Sequence, residues 1–404
     1  MSAVMPNNSS SASYPRSGTR NRALQLDGIL IMAVAAILLV SAVMVTSASI
    51  SIASKDNGDA FYYLKRQLIF IVLGIIACSI TARLPSKLFE RLHVPLLLAA
   101  LAMLIVVLIP GIGVVVNGSR RWLRLGFMNF QVSELARVFI LTYIAGYVAH
   151  KQKELKQQFN ASAMPLAMLI IAAVLLLLEP DFGAAAVLLA TSVGLLFLGG
   201  MRLRYFFALV GMAVAGMSLI AFAAPYRVKR LLGCIDPWAD PFGSCYQLVQ
   251  SEIAIGRGEL FGVGLGGSVQ KLFYLPEAHT DFVFAVIAEE FGFIGVLCLL
   301  SLFAIIVWRA LRVARLAAEA SMPFQAFVAA SFAMWIGLQA FINIGVNMGI
   351  LPTKGLTLPM LSNGGSSLLV ALAWLGMVLR IHHEACVSGH AALPKKVIAR
   401  KESA

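Results

Sequence analysis

The feature that most constrains this chain is a series of ten apolar runs, each near the roughly 20 residues an α-helix needs to cross a bilayer. They fall at 27–50, 67–84, 94–113, 132–149, 164–179, 182–200, 205–224, 282–308, 324–347 and 366–382. In hydrocarbon each backbone N–H and C=O must find its partner within the span, so the runs read as helices. Composition agrees, because 60% of the 404 residues are hydrophobic and 13% charged. Soluble domains carry about 45–50% and 25%, and a soluble fold of this size could not hide so much apolar surface. The expected fold class is an all-α polytopic membrane protein of about ten transmembrane helices. Its parts are a polar tail at 1–26, a membrane domain at 27–382 with one large loop at 225–281, and a basic tail at 383–404. Small residues at Ser47, Ala48 and Ser49 imitate a signal-peptide cleavage site. The apolar stretch from Ile29 exceeds the roughly 7–15 residues of a signal core, so it reads as an uncleaved first span.

An even number of spans puts both termini on one side of the membrane. Of the 32 Lys and Arg residues, nineteen fall on the side of the termini and twelve on the other, with Arg137 inside a span. Basic residues concentrate in short cytoplasmic loops, so both termini are expected in the cytoplasm. The net charge of +13 is therefore read as a topology signal and not as a nucleic-acid surface, since no basic run is interleaved with exposed aromatics. Thirteen of the 19 acidic residues lie outside or in the outer parts of spans. Charge held there is costly and marks the extracytoplasmic face as the working one. The loop at 225–281 far exceeds the usual 2–8 residues of a helix connection. Its Trp238, Tyr246, Phe261, Phe273 and Tyr274 argue for folded re-entrant or amphipathic segments.

Some motifs mislead. Gly262-Val-Gly-Leu-Gly-Gly267 matches the dinucleotide-binding pattern, yet no strand precedes it and no βαβ unit surrounds it. Its glycines read instead as tight backbone packing in a re-entrant segment, or as N–H groups approaching a phosphate. No His, Cys and carboxylate set has structural-zinc spacing, so no metal ligands are assigned. A loosely held Mg²⁺ or Mn²⁺ bridging a carboxylate and a substrate phosphate is the one cofactor expectation, because such ions need few protein ligands. Cys234 and Cys245 bracket Asp236-Pro-Trp-Ala-Asp240-Pro-Phe-Gly in the large loop. They are either a disulfide, permitted in an oxidising periplasm, or two free thiols packed at the membrane surface.

Three outside features converge on one candidate site. In Asn117-Gly-Ser-Arg-Arg-Trp-Leu-Arg124, the adjacent Arg120 and Arg121 suit phosphate recognition, and Trp122 suits a sugar face; the alternative is an interfacial anchor. Leu275-Pro-Glu-Ala-His-Thr-Asp281 brings a carboxylate to the start of span eight, with Glu277 close by. At 100° per residue, Ala285, Ala288 and Gly292 share the helix face of Asp281, a strip of small residues open to a helix or a lipid tail. A plain helix cap is the other reading of Asp281. Glu290 points away and is expected to pair with a buried cation. The third feature runs from Asn343 to Ser367, where two prolines, Gly364-Gly365 and the hydroxyls of Ser366 and Ser367 make a broken polar approach to span ten. Backbone of that kind is tolerated at membrane depth only where it lines a cavity. Lys354 is its single charge and needs an anionic partner.

Glu277-Ala-His-Thr-Asp281-Phe, Leu351-Pro-Thr-Lys-Gly-Leu-Thr-Leu-Pro359 and Gly364-Gly-Ser-Ser367, with Glu179-Pro-Asp-Phe-Gly183 and Asp236-Pro-Trp238, resemble the SEDS family of shape, elongation, division and sporulation proteins. The Thr-Lys-Gly form is similar to the division branch and not to the elongation branch. The resemblance covers the chain from span one to span ten. It implies a ten-span peptidoglycan glycosyltransferase that polymerises lipid II at the outer face of the bacterial cytoplasmic membrane. Its implied setting is the division septum, beside a septal class B penicillin-binding transpeptidase and other divisome proteins. The family's essential carboxylate maps to Asp281, its Trp before span four to Trp122 and its final-loop Lys to Lys354. Val132 and Asn363 depart from the residues common at those positions, and the Cys234/Cys245 pair is not a general family feature. Two other readings of the same charges are a lipid II transporter, with the cations as a headgroup track, and a non-catalytic divisome scaffold.

Overall fold

The computed structural model describes residues 25–401, apart from 117, 127, 158, 223–236, 244 and 352–354. Its helices are α1 (Gly28–Asn57), α2 (Tyr62–Arg83), α3 (Ser86–Leu108), α4 (Val132–Gln157), α5 (Ala163–Leu178), α6 (Phe182–Leu198) and α7 (Leu203–Phe222). They continue with the short α8 (Tyr246–Arg257), then α9 (Val283–Glu319), α10 (Pro323–Asn347) and α11 (Gly365–Lys401). Eight of the described helices are long and apolar enough to cross a membrane, and α6 and the described start of α7 are shorter apolar segments. The ten expected spans thus correspond in order to α1–α7 and α9–α11. Helix α9 outruns its expected end by eleven residues, since basic residues on its far turns do not stop a helix. Helix α11 likewise continues through the segment read as a tail.

Burial divides the bundle. Most of the apolar windows of α4, α10 and α11 are buried, whereas only about a fifth of those of α2, α3 and α9 is. Exposed apolar side chains such as Leu39, Leu178 and Phe207 suit contact with lipid, which replaces water as the solvent at this depth. The interior is closed by aromatic packing: Trp335 of α10 stacks on Trp374 of α11 at 5.1 Å between ring centroids, with Phe332 edge-on. Helix α11 lies along α2, tied by the Thr81 hydroxyl to the Ala373 carbonyl at 2.8 Å.

The all-α membrane fold stands, with one small sheet added to it. Between α3 and α4 the chain forms a three-stranded antiparallel sheet in the order β1 (Gly113–Val116), β2 (Ser119–Leu125) and β3 (Met128–Gln131). Its alternating and β-branched residues favour strands, but the segment is too short to show a clear period beside the neighbouring spans.

The large loop is folded where described. Helix α8 buries Leu248, Val249, Ser251 and Ala254 and is the amphipathic segment anticipated there. After it, the glycine-rich stretch meets a break in α9 at Gly292, whose φ of 63° and ψ of −163° lie outside the helical region. Four backbone hydrogen bonds cross the contact, including Val263 N–H to Glu289 O at 2.9 Å and Phe293 N–H to Glu259 O at 2.9 Å. A methyl on Gly262 would come within 2.2 Å of the Glu290 carbonyl oxygen. Two of these glycine-loop N–H groups, on Val263 and Gly264, thus bond α9 carbonyls, so close packing is what the motif serves here.

Candidate functional site

Residue identity in the strand decides where the arginine pair goes. Successive side chains of a strand point to opposite faces, so Arg120 and Arg121 on β2 part company. Arg120 turns back to donate to the Leu108 carbonyl at the end of α3, 3.1 Å away. Arg121 faces the α5–α6 turn, its guanidinium 3.7 Å from the Asp181 carboxylate. The adjacent pair read as one phosphate clamp is therefore divided, with Arg120 at a helix end and Arg121 at the site. Trp122 lies between Val114 and Gln131 in the sheet register.

Asp181 was quoted in the family pattern without a role, and the structure gives it several. One oxygen caps α6 by accepting from the Ala184 N–H at 3.1 Å, and the other accepts from Ser133 at 3.0 Å and Gln131 at 3.2 Å. Sheet, α4 and α6 are joined through this one carboxylate.

Asp281 is half-buried, two residues before α9 begins. Phe282 takes the cap position without a side-chain bond, so the plain-cap reading of Asp281 is excluded. The open strip of small residues is also corrected: Ala285 and Ala288 are buried in the core and the helix breaks at Gly292. Among the described residues no side chain donates to the Asp281 carboxylate. Its backbone, by contrast, is held firmly. Asn343 and Asn347 of α10 donate to the Asp281 carbonyl at 2.9 and 3.1 Å. The same Asn343 amide donates to the Leu356 carbonyl at 2.5 Å, and Gln339 donates to the Thr357 carbonyl at 3.0 Å. Three amides at spacing four on one helix face thus fix the carboxylate against the loop that precedes α11. Gly355 of that loop lies so close that an added methyl would stand 2.8 Å from an Asp281 carboxylate oxygen.

Burial pushes the Asp281 carboxyl up to about 7; the negative charges of Glu277 and Asp181 add to this, and Arg121 opposes it. Glu277 is exposed at the rim and accepts from the Thr280 hydroxyl at 2.7 Å. His279 is buried against the Tyr63 ring, which holds its imidazole below the usual range. The His279 carbonyl accepts from the Asn363 N–H at 3.0 Å, a backbone contact that does not depend on the side chain at this position. Val132 is fully buried at the start of α4.

The remaining expected residues are placed as follows. Ser366 and Ser367 are buried in the first turn of α11. Lys354 and Cys234 lie outside the described residues; Cys245 is disulfide-bonded. Glu290 pairs with the buried Lys271 at 2.7 Å, the cation expected for it. Among the described residues no three His, Cys, Asp or Glu side chains are grouped to hold a metal ion. A divalent ion at Asp281 would therefore take most of its ligands from substrate phosphate and water. Gln339 falls outside every site feature read from the sequence, and Asp181, Asn343 and Asn347 fall inside such features with no role assigned. Polar amides recurring every four residues in an otherwise apolar span were the available signal.

The chain resembles known proteins over nearly its whole length. The cell cycle protein family model covering FtsW, RodA and SpoVE matches residues 28–386. A probable peptidoglycan glycosyltransferase FtsW from Thioalkalivibrio sulfidiphilus is 50% identical over 367 residues, 91% of this chain and 92% of the relative. The protein of the same name from Pseudomonas fluorescens is 47% identical over 372 residues, 92% of this chain and 91% of its own. Among solved structures, a chain described under structural coordination of polymerization and crosslinking by a peptidoglycan synthase complex superposes with a TM-score of 0.73 at 31% identity, covering 90% of this chain and 99% of that one. The rod shape determining protein RodA of Thermus thermophilus superposes with a TM-score of 0.66 at 30% identity, covering 90% and 98%. On this match of sequence and fold, the chain belongs to the FtsW/RodA/SpoVE family of cell cycle proteins, in its FtsW branch.

Proposed function

We propose that this membrane protein is a peptidoglycan glycosyltransferase that polymerises lipid II during septal wall synthesis, with Asp281 as the base. The observation that carries the reading is the Asp281 carboxylate: half-buried, held by its backbone, free of described side-chain donors and raised to about 7. A general base works best when its pKa lies near the operating pH. Relatives named probable peptidoglycan glycosyltransferase FtsW, about half identical to this chain, support the same activity.

Lipid II carries its sugar on a polyprenyl pyrophosphate, so the leaving group departs as a stabilised anion and needs cations more than an acid. Asp281 removes the proton from the 4-hydroxyl of the acceptor GlcNAc as that oxygen attacks C1 of the donor MurNAc. The bond from C1 to the phosphate oxygen breaks, its electron pair leaves with the pyrophosphate, and the α-linked donor becomes a β-1,4 bond. Arg121 and Lys354 hold the pyrophosphate, placing positive charge where negative charge develops. A Mg²⁺ or Mn²⁺ ion carried by the substrate phosphates would supply further charge there. The expected partner is a class B penicillin-binding transpeptidase.

The test is polymerisation of lipid II by the purified full-length protein together with its transpeptidase made inert, displayed as glycan chains. Wild type should yield chains, and Asp281→Asn should lose at least about 100-fold, the lower end of general-base contributions. Absence of chains from wild type, with flux of lipid II across liposomes, would replace this reading by a transporter. Cell division supported by Asp281→Asn at normal levels would replace it by a scaffold.

A further inference from the structure

One carboxyl beside the site has no part in this chemistry. Glu179 closes α5 and is fully buried, and among the described residues neither of its oxygens has a hydrogen-bond partner. An ionised carboxylate in that setting would be far too costly without a cation against it. The charged groups that act on it are Asp181, two residues on at the cap of α6, and Arg121 reaching over from β2. Arg121 in turn serves several acids. It stands 3.7 Å from Asp181, and its charge also acts on Asp281 and on Glu134 of α4. Asp181 already accepts from Ser133, Gln131 and the Ala184 N–H, so it does not depend on Arg121 alone. Among the described residues Glu179 has no such alternative, and once charged it would turn to Arg121.

We propose that Glu179 is a positioning residue that works as a neutral carboxylic acid: uncharged, it leaves the Arg121 guanidinium directed to the substrate pyrophosphate, and ionised it draws Arg121 into the protein. The proposal rests on the glycosyltransferase reading above and on Arg121 as a pyrophosphate contact. It gives the Glu179-Pro-Asp181 turn two distinct duties, with Asp181 as the charged anchor of three elements and Glu179 as the uncharged neighbour that keeps the guanidinium free. Burial, with the Asp181 charge adding to it and Arg121 opposing it, raises the Glu179 carboxyl to about 8. The neutral form therefore dominates at pH 7 and is lost as the pH rises through that value.

The experiment measures kcat/KM for lipid II polymerisation from pH 6 to 9.5, using the full-length protein with its inert transpeptidase partner. Wild type should show an alkaline fall centred near 8. Glu179→Gln, neutral at every pH, should keep its pH 7 rate within about threefold, since a retained interaction shifts the barrier by well under 1.4 kcal/mol, and the alkaline fall should vanish. Glu179→Met, neutral and similar in length, should lose the fall as well and serves where the amide variant does not accumulate. Absence of an alkaline fall in wild type, its persistence at the same midpoint in either neutral variant, or a loss beyond about 100-fold in well-folded Glu179→Gln would each overturn the proposal. Asp281→Asn run alongside separates the two questions. If wild type polymerises and Asp281→Asn does not, the function stands whatever Glu179 does.

Discussion

On the proposal that Asp281 is the base, a carboxyl raised by burial is both slow in acid and costly to the fold. Asp281 is raised to about 7, chiefly by desolvation, so the fraction able to accept a proton climbs as the pH rises through that value. The acid limb of kcat/KM should therefore have its midpoint near 7, and below about pH 6 activity should fall roughly tenfold per unit. The stability consequence has the opposite sign. Between the unfolded value near 4 and 7, the folded state holds the proton more tightly than the unfolded chain, so ionising Asp281 destabilises the fold as pH rises. Asp281→Asn, which cannot ionise, should melt above wild type at pH 8, and the difference should shrink toward pH 4. Thermal unfolding in detergent at the two pH values checks this. An Asn variant less stable than wild type at pH 8 would mean the site is not strained in the way described.

At the scale of elements, the loop before α9 is fastened by charge that has no access to water. Lys271 and Glu290 are buried together at 2.7 Å, and Ser47 of α1 donates to Glu290 and accepts from Lys271. The neighbouring Glu289, also buried, accepts from Arg257 at 3.0 Å and from the Val269 N–H at 3.0 Å. Removing one partner of a buried pair leaves an uncompensated charge and costs about 3–5 kcal/mol, whereas replacing both is close to neutral. Lys271→Met should accordingly lower the melting temperature and accumulation sharply, and Lys271→Met/Glu290→Gln should recover most of the loss. Equal instability of the single and double variants would show that Lys271 matters for its packing alone. This latch was half legible in the sequence: Glu290 needed a cation, but nothing in spacing selected Lys271 from nineteen residues upstream. The spans were legible because a bilayer imposes their length, and Asp281 because a carboxylate at such depth demands a reason. The division of Arg120 from Arg121 was not, since it depends on a strand period that four to seven residues are too few to display. Nor was the break at Gly292, which turns on a loop packing backbone to backbone against a helix that its own sequence would have continued.

For the whole molecule, the contacts sort into two ends. Sheet β1–β3, the α5–α6 turn, the approach to α9 and the approach to α11 meet one another through Arg121–Asp181, Asn343 and Asn363. At the opposite end Asp27 at the start of α1 binds Arg309 of α9 through contacts of 2.7–3.1 Å, and Ser86 of α3 joins Glu384 of α11 and Gln325 of α10. Ten helices crossing alternately require this separation, because each connection must lie on the side its parity assigns. A nine-span path lacking α6 or α7 would place the α9 and α11 approaches at the opposite end from the sheet. The parity does not by itself say which end faces the cytoplasm; the denser basic loops at the end holding Arg309, Lys151, Lys153 and Lys156 lead to the prediction that this end is cytoplasmic. The large loop and the Asp281 site should then face outward. Lys153 and Leu265 are exposed and sit at the two ends. With Cys78, Cys298 and Cys386 replaced, a cysteine at Leu265 should react with a membrane-impermeant maleimide in intact spheroplasts. A cysteine at Lys153 should react only after the membrane is opened. The reverse pattern would put Asp281 on the cytoplasmic face, where a polymerase of outward-facing lipid II could not work.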